Sequence, residues 1–181
     1  VYIPTVTPKE ITADPETSTD VQGKEQKKTP TFKTEGDSAT PVTPSATYPA
    51  KLVDPKTNAK VDSVTVEGEG TYTIDPATGE VKFQPLPTFK GTATPVTVKL
   101  TAILGTDANN ANITATATAT YTPTVVPVKP TAVASQTTGP QGKAQTSAIK
   151  FDVADTDDTT VNFAKGTVAI DANTTKSVDL N

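Results

Sequence analysis

Four aspartates crowd one short stretch, Asp152, Asp155, Asp157 and Asp158 in FDVADTDDTT. Clustered carboxylates of this kind can gather the oxygen shell that Ca²⁺ requires. The run lacks the residue order of an EF-hand loop and its closing Glu, so a solvated acidic loop is the competing reading. Glu67 and Glu69 stand two apart, a pair of acids of the sort a glycosidase uses as acid and nucleophile. Beside a strand they would share one face, which is equally the pattern of ordinary solvent-side charge. Lys24, Lys27 and Lys28 make a small basic run, KEQKK, interrupted by Glu25; a solvated loop accounts for it without a binding role. Finally, a Lys amine and an Asn carboxamide held beside a buried acid can condense into an isopeptide cross-link with loss of ammonia. Lys82 and Lys99 fall on strand-like segments with Asn112 downstream. The ingredients of that bond are present, and their pairing is not readable from sequence.

The residue types that are missing narrow the chemistry further. His, Cys, Met and Trp are absent, and all 16 basic residues are Lys. Without imidazole or thiolate, most nucleophilic catalysis and most zinc or copper sites are excluded. Without Arg, there is no bidentate fork for phosphate or guanine. A net charge of −4 points away from nucleic acid and from anionic membrane surfaces. No segment is apolar and long enough for a transmembrane helix, and no signal peptide is present, so targeting and anchoring are expected to lie outside this sequence. No enzyme activity, catalytic residue or cofactor is expected.

The elements that would position these residues are strands. About a fifth of the residues are Thr, with 16 Pro and 10 Gly; the branched Cβ of Thr suits a pleated surface and disfavours helix. In GEGTYTIDPATGEVKF, residues 68–83, Tyr72 and Ile74 share one face of a strand, and Val81 and Phe83 share a face of the next. Asp75-Pro76-Ala77-Thr78-Gly79 between them is a turn, with Gly in the left-handed position. Val61, Val64 and Val66 suggest another strand, as does Lys51–Asp54. Val96, Val98 and Leu100 alternate with polar residues. Ile113, Ala115, Ala117, Ala119 and Tyr121 alternate with Thr, which predicts a long strand with a small-residue inner face. No helical periodicity is found.

The sequence also repeats itself. Tyr2, Pro4, Thr5 and Val6 recur as Tyr121, Pro123, Thr124 and Val125, an offset of 119. Gln22, Gly23, Lys24 and Gln26 recur as Gln141, Gly142, Lys143 and Gln145, and Phe32 as Phe151, at the same offset. Residues 1–7 are then the end of a preceding repeat, 8–126 one complete repeat and 127–181 the start of the next. A period this long exceeds that of solenoids and implies independent domains in series. Residues 123–131, PTVVPVKPT, read as a Pro-rich extended linker. The acidic run does not recur: its counterpart in the complete repeat is Lys33-Thr34-Glu35-Gly36.

TTGPQGKAQT (137–146), GEGTYTIDPATGEVKFQP (68–85), TFKGTATPVTV (88–98) and ATYTPTV (119–125) resemble the fibril-forming repeat of streptococcal CshA-type adhesins, over essentially the whole chain. The resemblance implies a cell-wall-anchored, extracellular protein of a Gram-positive bacterium. In it, many repeats in series would carry a separate adhesive region outward to host matrix. It implies no catalytic residue, and the N-x-T sequons at Asn112 and Asn173 would be incidental in such a protein. The expectation is therefore all-β, tandem Ig-like β-sandwich domains joined by a Pro-rich linker, acting as a stalk. Its partners would be neighbouring repeats, with lateral self-association into fibrils along the Thr-faced strand. The alternative is a module that itself grips host matrix protein or glycan, which calls for an exposed aromatic or apolar patch.

Overall fold

Where β-branched residues alternate with small or aromatic ones, the computed structural model places strands. It describes residues 9–36, 38–128, 130–148 and 150–153, and among them there is no helix. In chain order residues 9–128 contain β1 (Ile11–Ala13), β2 (Glu16–Val21), β3 (Gln26–Lys28), β4 (Phe32–Thr34), β5 (Pro41–Val42) and β6 (Lys51–Val53). There follow β7 (Lys60–Val61), β8 (Ser63–Val66), β9 (Gly70–Ile74), β10 (Val81–Pro85), β11 (Gly91–Thr92), β12 (Val96–Thr106) and β13 (Asn112–Val126). One sheet has the order β3-β10-β9-β8; the other has β11-β13-β12-β6-β7, with β2 also on β13. A smaller sheet, β1-β4-β5, flanks them. The architecture is that of a β-sandwich.

The hairpin expected over 68–83 is β9–β10, with Tyr72 opposite Phe83 and Ile74 opposite Val81. Its turn is held by Asp75, whose carboxylate accepts the Ala77 N–H at 2.9 Å. That bond holds the Asp75 carboxyl below its ordinary value. Gly79 sits at φ 77°, the left-handed region that a residue with a Cβ avoids.

The core lies between the two larger sheets. Tyr72, Phe83, Val81, Leu52, Val98, Leu100 and Tyr121 are fully buried, each stabilising the fold by about 1.5–3 kcal/mol relative to exposure. The Tyr72 ring lies 4.5 Å from Phe83 and meets Tyr121 edge-on at 6.2 Å. In β13 the Ala and Thr positions take inner and outer faces as the alternation predicts. Burial fades toward Ile113, which is 44 % exposed. Lys51–Val53 and the Val61–Val66 region form β6, β7 and β8, as their valines suggested.

β2 departs from the sequence reading. ETSTDV has one apolar residue and no period-two apolar pattern, yet it runs parallel to β13, from Glu16 beside Tyr121 to Val21 beside Val126. The expected linker also divides. Pro123 through Val126 belong to β13, with Pro123 buried and Thr124 and Val125 laddered to β11. Their backbone is satisfied by β2 and β11, so these residues are wall, not spacer. β14 begins at Pro130, leaving three residues between the two strands.

β14 (Pro130–Val133) pairs with β15 (Lys150–Val153). Ile11 pairs with Thr34 and Ala13 with Phe32. Pro130 pairs with Val153 and Ala132 with Phe151. The second ladder is the first one moved along by 119 residues.

Candidate functional site

Of the residues that suggested chemistry, the acidic run is reached only at Asp152, whose backbone pairs with Thr131. Asp155, Asp157, Asp158 and Asn173 lie outside the described residues. Among the described residues no three carboxylates converge on one point. The Lys run is divided among nearby acids: Lys24 with Asp20 at 3.6 Å, Lys27 with Glu25 at 3.3 Å and Lys28 with Glu16 at 3.8 Å.

The isopeptide ingredients are not brought together. Lys99 sits opposite Thr118, whereas Asn112 sits opposite Thr106, seven residues further along β12, or ~23 Å. Lys82 is on β10 in the other sheet, 4.0 Å from Glu80.

Glu67 and Glu69 do not share a strand face. Both lie in the turn between β8 and β9; Glu67 is exposed and Glu69 half-buried. Glu69 is committed to Thr94, accepting its N–H at 2.6 Å and its hydroxyl at 2.8 Å. The carbonyl of Thr94 in turn accepts the Tyr72 hydroxyl at 2.7 Å. The acid therefore pins the segment before β12 to the turn after β8. Burial, with the Glu69 carboxylate adding to it, pushes the Tyr72 phenol well above its ordinary value.

The repeated Gln-Gly-Lys-x-Gln motif builds the end of the repeat at which the chain leaves. Gln22 donates its backbone N–H to Val126 at 2.8 Å and its side-chain amide to Pro87 at 2.6 Å. Gln84 reaches the Gly23 carbonyl at 2.9 Å. Gln26 is only 3 % exposed and donates to the Thr124 carbonyl at 3.0 Å. Its side-chain oxygen accepts the Ser18 hydroxyl. With that proton committed, the Tyr121 phenol, 2.7 Å from Ser18 Oγ, is the donor to it. Burial holds this phenol above its ordinary value as well. One polar network thus ties β2, β3 and β13 together behind the aromatic core. The sequence signals for it were the recurrence of Gln26 as Gln145 and of Tyr2 as Tyr121; nothing marked Ser18.

At the opposite end the β12–β13 hairpin runs beyond the core. A bulge at Leu104 shifts the register between Ile103–Thr114 and Gly105–Ile113. The tip is closed by Asp107, whose carboxylate accepts the N–H of Asn109 and of Ala111, both at 2.8 Å. Beside it lies a groove with a cavity volume of about 370 Å³, whose walls include Lys9, Pro41, Val42, Ile103 and Leu104. Thr34, Thr40, Thr43 and Ser45 add hydroxyls to these walls, which hold one Lys and no carboxylate.

The chain belongs to the surface adhesin CshA repetitive domain family, which matches residues 8–125. This places it on the extracellular surface, in a family of adhesin repeats and not of enzymes. No curated protein matches the chain.

Proposed function

We propose that the repeat is a spacer, a structural stalk unit of a fibrillar adhesin anchored in a Gram-positive cell wall, holding an adhesive region away from the cell. One observation carries this reading: β2 runs parallel to β13. β2 covers only Tyr121–Val126 of that strand. Before it, Lys9 lines a groove with Ile103, whose partner is Thr114. The chain therefore comes in beside the Asn112 half of β13 and leaves at Val126, the other end of the longest strand. The fourteen steps along its fifteen residues, at about 3.3 Å each, span ~45 Å. Every repeat traversed this way lengthens the chain by about that much. Small-angle scattering as repeats are added tests it: the maximum dimension is expected to grow by ~45 Å per repeat. A maximum dimension that stays near that of one repeat would overturn the reading.

A further inference from the structure

Among the described residues the large apolar side chains left in water are Leu86, Ile103, Ile113, Val126 and Val133. Four of them belong to the complete repeat, and they fall at its two ends. Ile103 and Ile113, each 44 % exposed, stand on the projecting hairpin. Leu86 and Val126, at 42 % and 37 %, stand where the chain leaves; the Gln22 bonds to Pro87 and Val126 put both on one surface. Apolar residues scattered singly need no explanation, but a set confined to the ends that neighbours must share does.

Chain length makes the two ends meet. At the offset of 119, Lys9 is the counterpart of Val128, so two chain steps, through one intervening residue, separate the end of a long strand at Val126 from that point of the next repeat. Two steps reach at most about 7 Å. Lys9 lines the groove together with Ile103 and Leu104, which sets the level at which the chain comes in. From the Ile103–Thr114 pair the hairpin continues through Gly105–Ile113, Thr106–Asn112 and the Asp107 turn, a further ~10 Å or more. The hairpin therefore overreaches the connector. Its sole charged residue between 103 and 113 is Asp107, and that carboxylate is occupied within the turn.

We infer that the hairpin 103–113 of each repeat docks on the C-terminal end of the repeat before it, covering the surface that carries Leu86 and Val126. The joint is thereby stiffened by contact and not by the linker alone. The occupant is a second copy of this repeat, and the inference rests on the stalk reading above. The test extends the full chain by inserting another copy of residues 8–126 after Val126, giving one complete joint. The two complete repeats are expected to unfold together, about 3–5 °C above the single repeat of the 181-residue chain. Ile103→Lys with Ile113→Lys in the second repeat should abolish that increment; the same pair in the first repeat, whose hairpin has no complete neighbour, should leave it intact. Leu86→Lys should show the opposite dependence, damaging in the first repeat and silent in the second. Equal effects at both placements, or no increment at all, would overturn docking. If the scattering dimension grows while the increment is missing, docking alone fails. If the dimension does not grow, the stalk reading fails and takes docking with it.

Discussion

The carboxylate of Glu69 holds both the backbone N–H and the hydroxyl of Thr94, at 2.6 and 2.8 Å. The two residues are 25 positions apart, and the bond closes one sheet of the sandwich over the other. Glu69→Ala removes the partner of two polar groups at once, and a loss of about 1–2 kcal/mol is expected. Glu67→Ala, at an exposed position in the same turn, should change stability by less than about 0.5 kcal/mol. Urea unfolding midpoints of the two variants check the contrast; equal midpoints would show that the clasp contributes nothing.

Gln26, Ser18 and Tyr121 should behave as one unit. Gln26→Leu keeps the volume but deprives the Thr124 carbonyl of its side-chain donor and the Ser18 hydroxyl of its acceptor, leaving Ser18 only the Tyr121 phenol, so it should cost about 2 kcal/mol or more. Ser18→Ala separates Gln26 from Tyr121. Because the residues share bonds, the double variant should cost less than the sum of the singles, by about 0.5–2 kcal/mol in a double-mutant cycle. Strict additivity would mean that the bonds act independently.

The inner faces of the fold were readable because they follow a period of two. Tyr72, Ile74, Val81 and Phe83 could be assigned to a hairpin face, and Ala115, Ala117 and Ala119 to the inside of β13, before any coordinates. β2 was not readable, because Glu16–Val21 is recognised by its ladder to β13 and not by apolar side chains. Prolines misled at 123–126. Pro123 is buried inside β13, where β11 pairs only with Thr124 and Val125 and no bond from the missing N–H is called for. Glu69 illustrates a third failure. Its acid partner by spacing was Glu67, but the turn separates them and a residue 25 positions away takes the carboxylate.

The GEGTY motif should be intolerant at its second glycine. A Cβ on Gly70 would stand 2.4 Å from the Gln84 carbonyl oxygen and 2.9 Å from the Pro85 Cα. Backbone on the neighbouring strand cannot move aside without breaking the β9–β10 ladder. Gly70→Ala should therefore cost about 2–3 kcal/mol, read as a lowered thermal midpoint with the Tyr72–Phe83 near-ultraviolet signal weakened. An unchanged midpoint would show that β9 and β10 can separate there freely.

Alkaline pH should unfold the repeat through its buried phenols. The ordinary tyrosine value is about 10, and burial raises both Tyr72 and Tyr121 in the folded state. A raised folded value means that the stabilisation is complete below pH ~10 and is lost as pH climbs from there toward the folded value, because only the unfolded chain ionises freely. Each such phenol then contributes a loss of up to about 1.4 kcal/mol per pH unit above 10. Tyr72→Phe removes one of the two titrating groups. Its cost at neutral pH is the lost bond to the Thr94 carbonyl, about 1 kcal/mol. The deficit should shrink as pH rises from 9 to 11.5, so that the midpoint curves of wild type and variant converge or cross. Parallel curves over that range would mean that Tyr72 ionises as readily folded as unfolded.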